Sequence, residues 1–171
     1  MLYGEFLRRH HSRLAHEIAL YGFPGVDGKY VKIVDGIDSD IINLSGLIAR
    51  SHGMNIRDTF TYLKEEYGEF GWRNYKDIKS IFLMAVLRIA DYLHITSDRV
   101  PTLEKHIFKH SSHISKIEKE LHDSISCIIS NVEDSEAIYV HANPNSSKLY
   151  LRIEELLKNI QYELDTSWAI I

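Results

Sequence analysis

The sequence is poor in cysteine and proline, with one cysteine, Cys127, and three prolines in 171 residues. A lone cysteine excludes an intramolecular disulfide framework and any cysteine-rich zinc module, and it suits a reducing compartment, so a cytoplasmic location is the expectation. Long hydrophobic runs are missing too. The longest, residues 81–87, falls far short of the roughly 20 residues a membrane-spanning helix needs, and the N-terminal MLYGEFLRRHHSRL lacks the apolar core of a signal peptide. Nor is positive charge in excess. With 20 Lys and Arg against 24 Asp and Glu the net charge is -4, and the basic residues are scattered. That leaves no electrostatic footprint for nucleic acid or for an anionic membrane surface. No internal repeat and no low-complexity tract interrupts the chain.

What remains is ordinary in bulk and unusual in one residue type. A composition of 44% hydrophobic and 26% charged residues is that of a globular protein long enough to bury a core. The ten histidines are the exception. Imidazole is the commonest metal ligand and the usual proton carrier near neutral pH. Most of the ten are expected on solvated surfaces, and His106, His110 and His113 fall on one such face or loop.

The chain is organised around residues 79–99, KSIFLMAVLRIADYLHITSDR. The unbroken apolar run from 81 to 87 predicts a central helix surrounded on all sides. That helix carries ions, because Arg88 and Asp91 stand three apart on one face and His94 continues the row. A buried carboxylate there needs a cation, a metal or good hydrogen bonds to offset its desolvation.

The flanking segments supply candidates. Residues 3–20 read as a helix with Leu7, His11, Leu14 and Ile18 on one face, so His11 sits in an apolar stripe that aims it inward, and His10 lies one step round beside Phe6. Gly22, Pro24, Gly25 and Gly28 make a loop, and YVKIV at 30–34 reads as a short strand or a loop edge. Asp38 or Ser39 caps a second helix that stops at Gly53, and its row Ile41, Leu44, Ile48 ends on His52. Residues 54–76 predict a short helix and then an aromatic-rich loop carrying Phe70, Trp72 and Tyr75, which is a packed connection or a pocket wall. Beyond Pro101 a weakly amphipathic helix is expected over 102–122. CIISNV and AIYVHA around EDSE then predict a β-hairpin, and residues 148–165 predict a helix on the period of Leu149, Ile153, Leu156, Leu157, Ile160 and Leu164. The fold class is therefore mainly α, with a C-terminal β-hairpin and helix.

Three helices thus place His11, His52 and Asp91 where apolar residues are expected. Two neutral imidazoles and a carboxylate suit a divalent transition metal such as manganese, iron, nickel, cobalt or zinc. Arg88 can orient the Asp91 carboxylate or grip a phosphate through two parallel hydrogen bonds. The plainer reading makes Arg88 and Asp91 an intrahelical ion pair and the histidines hydrogen-bonded core residues. Arg99 with Asp98, at a helix end before a proline, reads as solvated.

RRHH near the start, ARSHG at 49–53 and LRIADYLHITSDR at 87–99 resemble the later motifs of the HD-superfamily metal-dependent phosphohydrolases. The likeness is greatest to the bacterial branch in which such a domain accompanies a gyrase/histidine-kinase-type ATPase domain, and where a strand pair and a helix similar to NIQYELD follow the helical core. The resemblance implies a helical bundle around one or two divalent metals that activate water against a phosphate ester or anhydride. It implies Asp91 as the final aspartate ligand, His52 as the histidine of the preceding helix, and His11, or His10 beside it, as the histidine before that. It also implies an HD-like core over 1–122 with the hairpin and helix of 123–171 packed on it as an appendage.

The family's namesake His-Asp dipeptide comes before all these motifs. Here the one such dipeptide, His122-Asp123, follows Asp91 and reads as a solvated pair on an amphipathic helix. An incomplete bundle is therefore expected, as the later portion of a longer protein, one half of a split enzyme, or a degenerate relative. Two functions follow. One is a metal-dependent phosphohydrolase acting on a nucleotide or another phosphate ester, with Arg88 and Asp91 catalytic and His11, His52 and Asp91 on the metal. The other is a non-catalytic regulatory or protein-interaction module in which the same residues form a buried polar network. An incomplete bundle would expose an apolar face, for which a second copy, a partner chain or an ATPase domain is the expected cover.

Overall fold

The computed structural model describes residues 2–69, 71–96, 113–134 and 136–171. Among them are six α-helices: α1 (Leu2–Tyr21), α2 (Ser39–Ser51), α3 (Ile56–Tyr67), α4 (Ser80–Leu93), α5 (His113–Ser124) and α6 (Ser147–Trp168). Strand β1 (Phe23–Pro24) pairs antiparallel with β2 (Tyr30–Val31), and β3 (Ile125–Ser130) pairs antiparallel with β4 (Ile138–Ala142). The protein is mainly α with a C-terminal hairpin and helix, as the residue patterns predict. Two compact units divide it, Leu2–Arg88 with Ser167–Ile171, and Ile89–Thr166. No described helix is long and apolar enough to cross a membrane.

In the first unit, polar caps set where helices begin. The Asp38 carboxylate accepts the Asp40 N–H at 2.9 Å to open α2, and the Asn55 side chain accepts the Arg57 N–H at 2.9 Å to open α3. The core is Leu44, Leu47, Ile56, Leu63, Trp72, Ile81 and Met84, with aromatic residues packed around it. Phe60 meets Trp72 with ring centroids 5.2 Å apart, and Tyr67 meets Tyr75 at 4.5 Å. The aromatic-rich stretch is thus a packed connection; Phe70 lies outside the described residues.

Two expectations are corrected here. The first is that α4 is surrounded. It buries Ser80, Ile81, Met84, Ala85 and Arg88 on one face, but Phe82, Leu83, Val86 and Leu87 are exposed, Phe82 at 48%. An unbroken apolar run has no period, so it cannot say how many faces are covered.

The second concerns α1. Leu7 and His11 are exposed, Leu14 and Ile18 are half-buried, and the buried residues are Ser12 and His16. Small residues decide this. A Cβ on Gly46 would collide with the His16 ring and lie 3.1 Å from the Ala19 Cβ, and one on Gly53 would collide with the Ser12 hydroxyl. Close approach of two backbones selects the inward face of α1, and hydrophobic periodicity does not register it.

In the second unit, β3 and β4 run from Ile125 opposite Ala142 to Ser130 opposite Ile138, with a bulge between Ile125 and Cys127. The Ser146 hydroxyl accepts the Leu149 N–H at 3.3 Å and starts α6. That helix contributes Ile160 to one cluster with Ile95 and Ile125, and Leu149 and Ile153 to another with Leu121. Asp98, Arg99, His106 and His110 lie outside the described residues.

Candidate functional site: a histidine pair at the end of α2

The site begins with how α2 stops. A helix leaves its last four carbonyls without intrahelical donors, and here each finds one. The Ile48 carbonyl accepts the Ser51 hydroxyl at 2.6 Å, and the Ala49 carbonyl accepts Nδ1–H of His52 at 2.5 Å. The Arg50 carbonyl accepts the Gly53 N–H at 3.1 Å, and the Ser51 carbonyl accepts the Met54 N–H at 3.1 Å. A guanidinium nitrogen of Arg88 donates to Ser51 as well, at 2.5 Å, and also to the Met54 carbonyl at 2.7 Å. Arg88 is only 7% exposed, with its charge at the negative end of the α2 dipole.

From α1, His11 donates Nδ1–H to the Arg8 carbonyl at 2.7 Å. A carbonyl can only accept, so in both His11 and His52 a proton sits on Nδ1, and in the neutral ring the lone pair is on Nε2. The two Nε2 atoms face each other at 2.7 Å, with ring centroids 4.8 Å apart. Two lone pairs so placed repel, and a proton or a metal ion between them turns repulsion into attraction.

The two imidazoles could supply two ligands of a metal. Imidazoles bound to metals ordinarily donate their other N–H to a carbonyl or carboxylate, as both rings do here. Tetrahedral metal–nitrogen bonds of about 2.0–2.1 Å set neighbouring ligand nitrogens about 3.3 Å apart, so the rings would have to part by about 0.6 Å. His11 is exposed and His52 half-buried, so the pair opens to solvent. Among the described residues, no cluster of three or more His, Cys, Asp or Glu is placed to hold a metal.

His10 stacks on Phe6 at 4.6 Å, and it is His11 that meets His52. Asp91 is exposed and belongs to the second unit, where it shares a cleft of about 190 Å³ with Glu118 and His122. His122 departs from the expected solvated pair. It is half-buried, and its Nδ1–H donates to the Ile95 carbonyl at 2.7 Å, while Asp123 pairs with Lys119.

Sequence reasoning missed His16, which is 4% exposed. Glu66 can only accept, so Asn43 offers it the amide N–H at 3.1 Å and turns its oxygen to His16, whose Nε2–H donates at 2.8 Å. A glycine inside a helix, Gly46, was the available signal, since it marks a close approach.

The opposite end of α2 is electrostatic. Lys76 pairs with Asp38 at 2.5 Å, and the Tyr75 hydroxyl donates to Asp40 at 2.7 Å. Its hydrogen bond with Lys76 holds the Asp38 carboxyl below its ordinary range and raises the lysine in turn; the bond to Asp40 raises the Tyr75 phenol. Burial, helped by Glu66 and Asp40, pushes Tyr67 up to about 12. Lys76 and Asp77 adopt left-handed backbone, φ 52° and 63°, and these contacts hold that strained turn against α2.

A family model, HD-CE, matches residues 2–166. No curated protein and no solved structure matches the chain. Since the matched span takes in both histidines, Arg88, the hairpin and nearly all of α6, the chain belongs to the HD-CE family.

Proposed function

We propose that this HD-type domain is related to metal-dependent phosphohydrolases, with His11 and His52 as two ligands of a divalent transition metal: manganese, iron, cobalt, nickel or zinc. The observation that carries the reading is the pair of Nε2 atoms facing each other at 2.7 Å, each ring fixed through Nδ1 on a main-chain carbonyl. A metal bound there supplies an activated water for attack on phosphorus. The residues of the chain do the rest: the imidazoles hold the ion, and Asp91 is a further ligand on the strength of its motif alone. Arg8 and Arg9 precede His11 by less than a turn, and Arg50 precedes His52, which favours an anionic substrate such as a nucleotide or another phosphate ester.

The test is metal analysis of the purified chain, followed by assays with manganese, cobalt and nickel on nucleotides and a generic phosphodiester. Hydrolysis abolished by His52→Ala and by Asp91→Ala supports the reading; hydrolysis unchanged in both overturns it.

The second reading, a non-catalytic regulatory or interaction module, is favoured by one observation. No third ligand stands with the pair among the described residues. The two rings would then share a proton. Stoichiometric metal selects the first reading, and its absence selects the second.

A further inference from the structure

We infer that Arg88 is the positioning residue of the histidine pair, acting on His52 through the main chain on either side of it; the inference rests on the metal reading above. His52 is the first residue past the end of α2, where a helix ordinarily frays because its last carbonyls have no partners. One guanidinium nitrogen adds to the bonds that already hold those carbonyls. Its two N–H bonds go to the Ser51 carbonyl, just before His52, and to the Met54 carbonyl, just beyond Gly53. The loop of main chain between them carries the imidazole, so fixing both carbonyls on one nitrogen fixes where Nε2 points.

Two further contacts close the arrangement. His52 Nδ1–H on the Ala49 carbonyl sets the ring against the last turn, and Gly53 presses on Ser12, the neighbour of His11. Displacing the 51–54 segment therefore moves His52 relative to His11. Lysine is a poor substitute, because a planar nitrogen presents its two N–H bonds at a fixed angle from a longer, stiffer head, whereas an ammonium is a hydrated point charge.

The experiment compares wild type, Arg88→Lys, Arg88→Met and a core variant, Leu63→Ala, by two readouts. The first is the ¹⁵N spectrum of the His52 ring without metal, which reports the proton on Nδ1 and the bare Nε2. The second is cobalt affinity from the absorbance of the bound ion. In Arg88→Met the His52 ring is expected to lose its single tautomer and cobalt binding to weaken about 10–100-fold, with Arg88→Lys in between. Leu63→Ala, destabilised without touching the arginine, keeps the wild-type ring spectrum.

A wild-type His52 spectrum in both arginine variants, whatever their melting temperatures, overturns the inference. If Arg88→Met does not fold, Arg88→Lys decides by the same spectrum. If wild type binds no cobalt, the metal reading falls, and the metal-free ring spectrum still decides the part played by Arg88.

Discussion

His11 and His16 sit five residues apart on α1, and both reach across to α2, yet they are solved differently. His16 is buried, donates to a neutral amide oxygen, and that amide is itself held by Glu66, so every group in the chain has a partner of the right kind. His11 is exposed and meets another imidazole nitrogen to nitrogen. One contact is complete as it stands. The other sets two imidazole nitrogens against each other, and on the reading proposed above they take an ion between them, which would separate a structural histidine from a ligand on one helix pair.

The comparison breaks most visibly with metal. His52→Ala is expected to weaken cobalt binding by more than the about 100-fold that loss of an outer-shell partner costs, while His16→Ala leaves it near wild type in whatever fraction stays folded. Competition against a chromophoric chelator reads both.

Stability should show the reverse order. Removing the His16 ring empties a packed site and orphans the Asn43 oxygen, so His16→Ala should cost about 2–3 kcal/mol, whereas exposed His11→Ala stays within about 0.5 kcal/mol. Urea unfolding of the two variants gives the numbers. Gly46→Ala sharpens the same point without touching a polar atom. Its new Cβ must displace the His16 ring and Ala19, an overpacking cost of about 1–3 kcal/mol, measurable in the same urea series.

The smallest effect belongs to the far end of α2, and it is read against pH. Asp38 has a lowered value in the fold, so its contribution is complete above its ordinary value of about 4 and is lost as the pH falls below that. Tyr67 is raised to about 12, so its contribution is complete below about 10 and lost as the pH rises through about 12. Melting temperature against pH should therefore sag at both limits, and Asp38→Asn should flatten the acid limb and, through Lys76, part of the alkaline limb, leaving the share that belongs to Tyr67.

The hairpin is legible from two β-branched and aromatic runs on either side of EDSE, and α6 from its period of about 3.6, the same period that marks the helices of the first unit. The faces were less legible. By hydrophobicity alone the row Leu7, His11, Leu14, Ile18 reads as inward, while the α1–α2 seam is set by the size of Ser12, Ala19, Gly46 and Gly53. His52 was found from its row on α2. Arg88 stands out as an ion in an apolar helix, and its partners include main-chain carbonyls at 51 and 54, which no side-chain pattern reveals.

The measurement that bears most directly on the histidine pair is a cobalt or zinc titration of the intact chain followed through the imidazole ¹⁵N resonances of His11, His16 and His52 together. The Nε2 resonances of His11 and His52 should shift in parallel and saturate at one equivalent, with His16 unmoved. Contradiction would be a titration in which His11 and His52 stay where they are, or in which His16 moves with them.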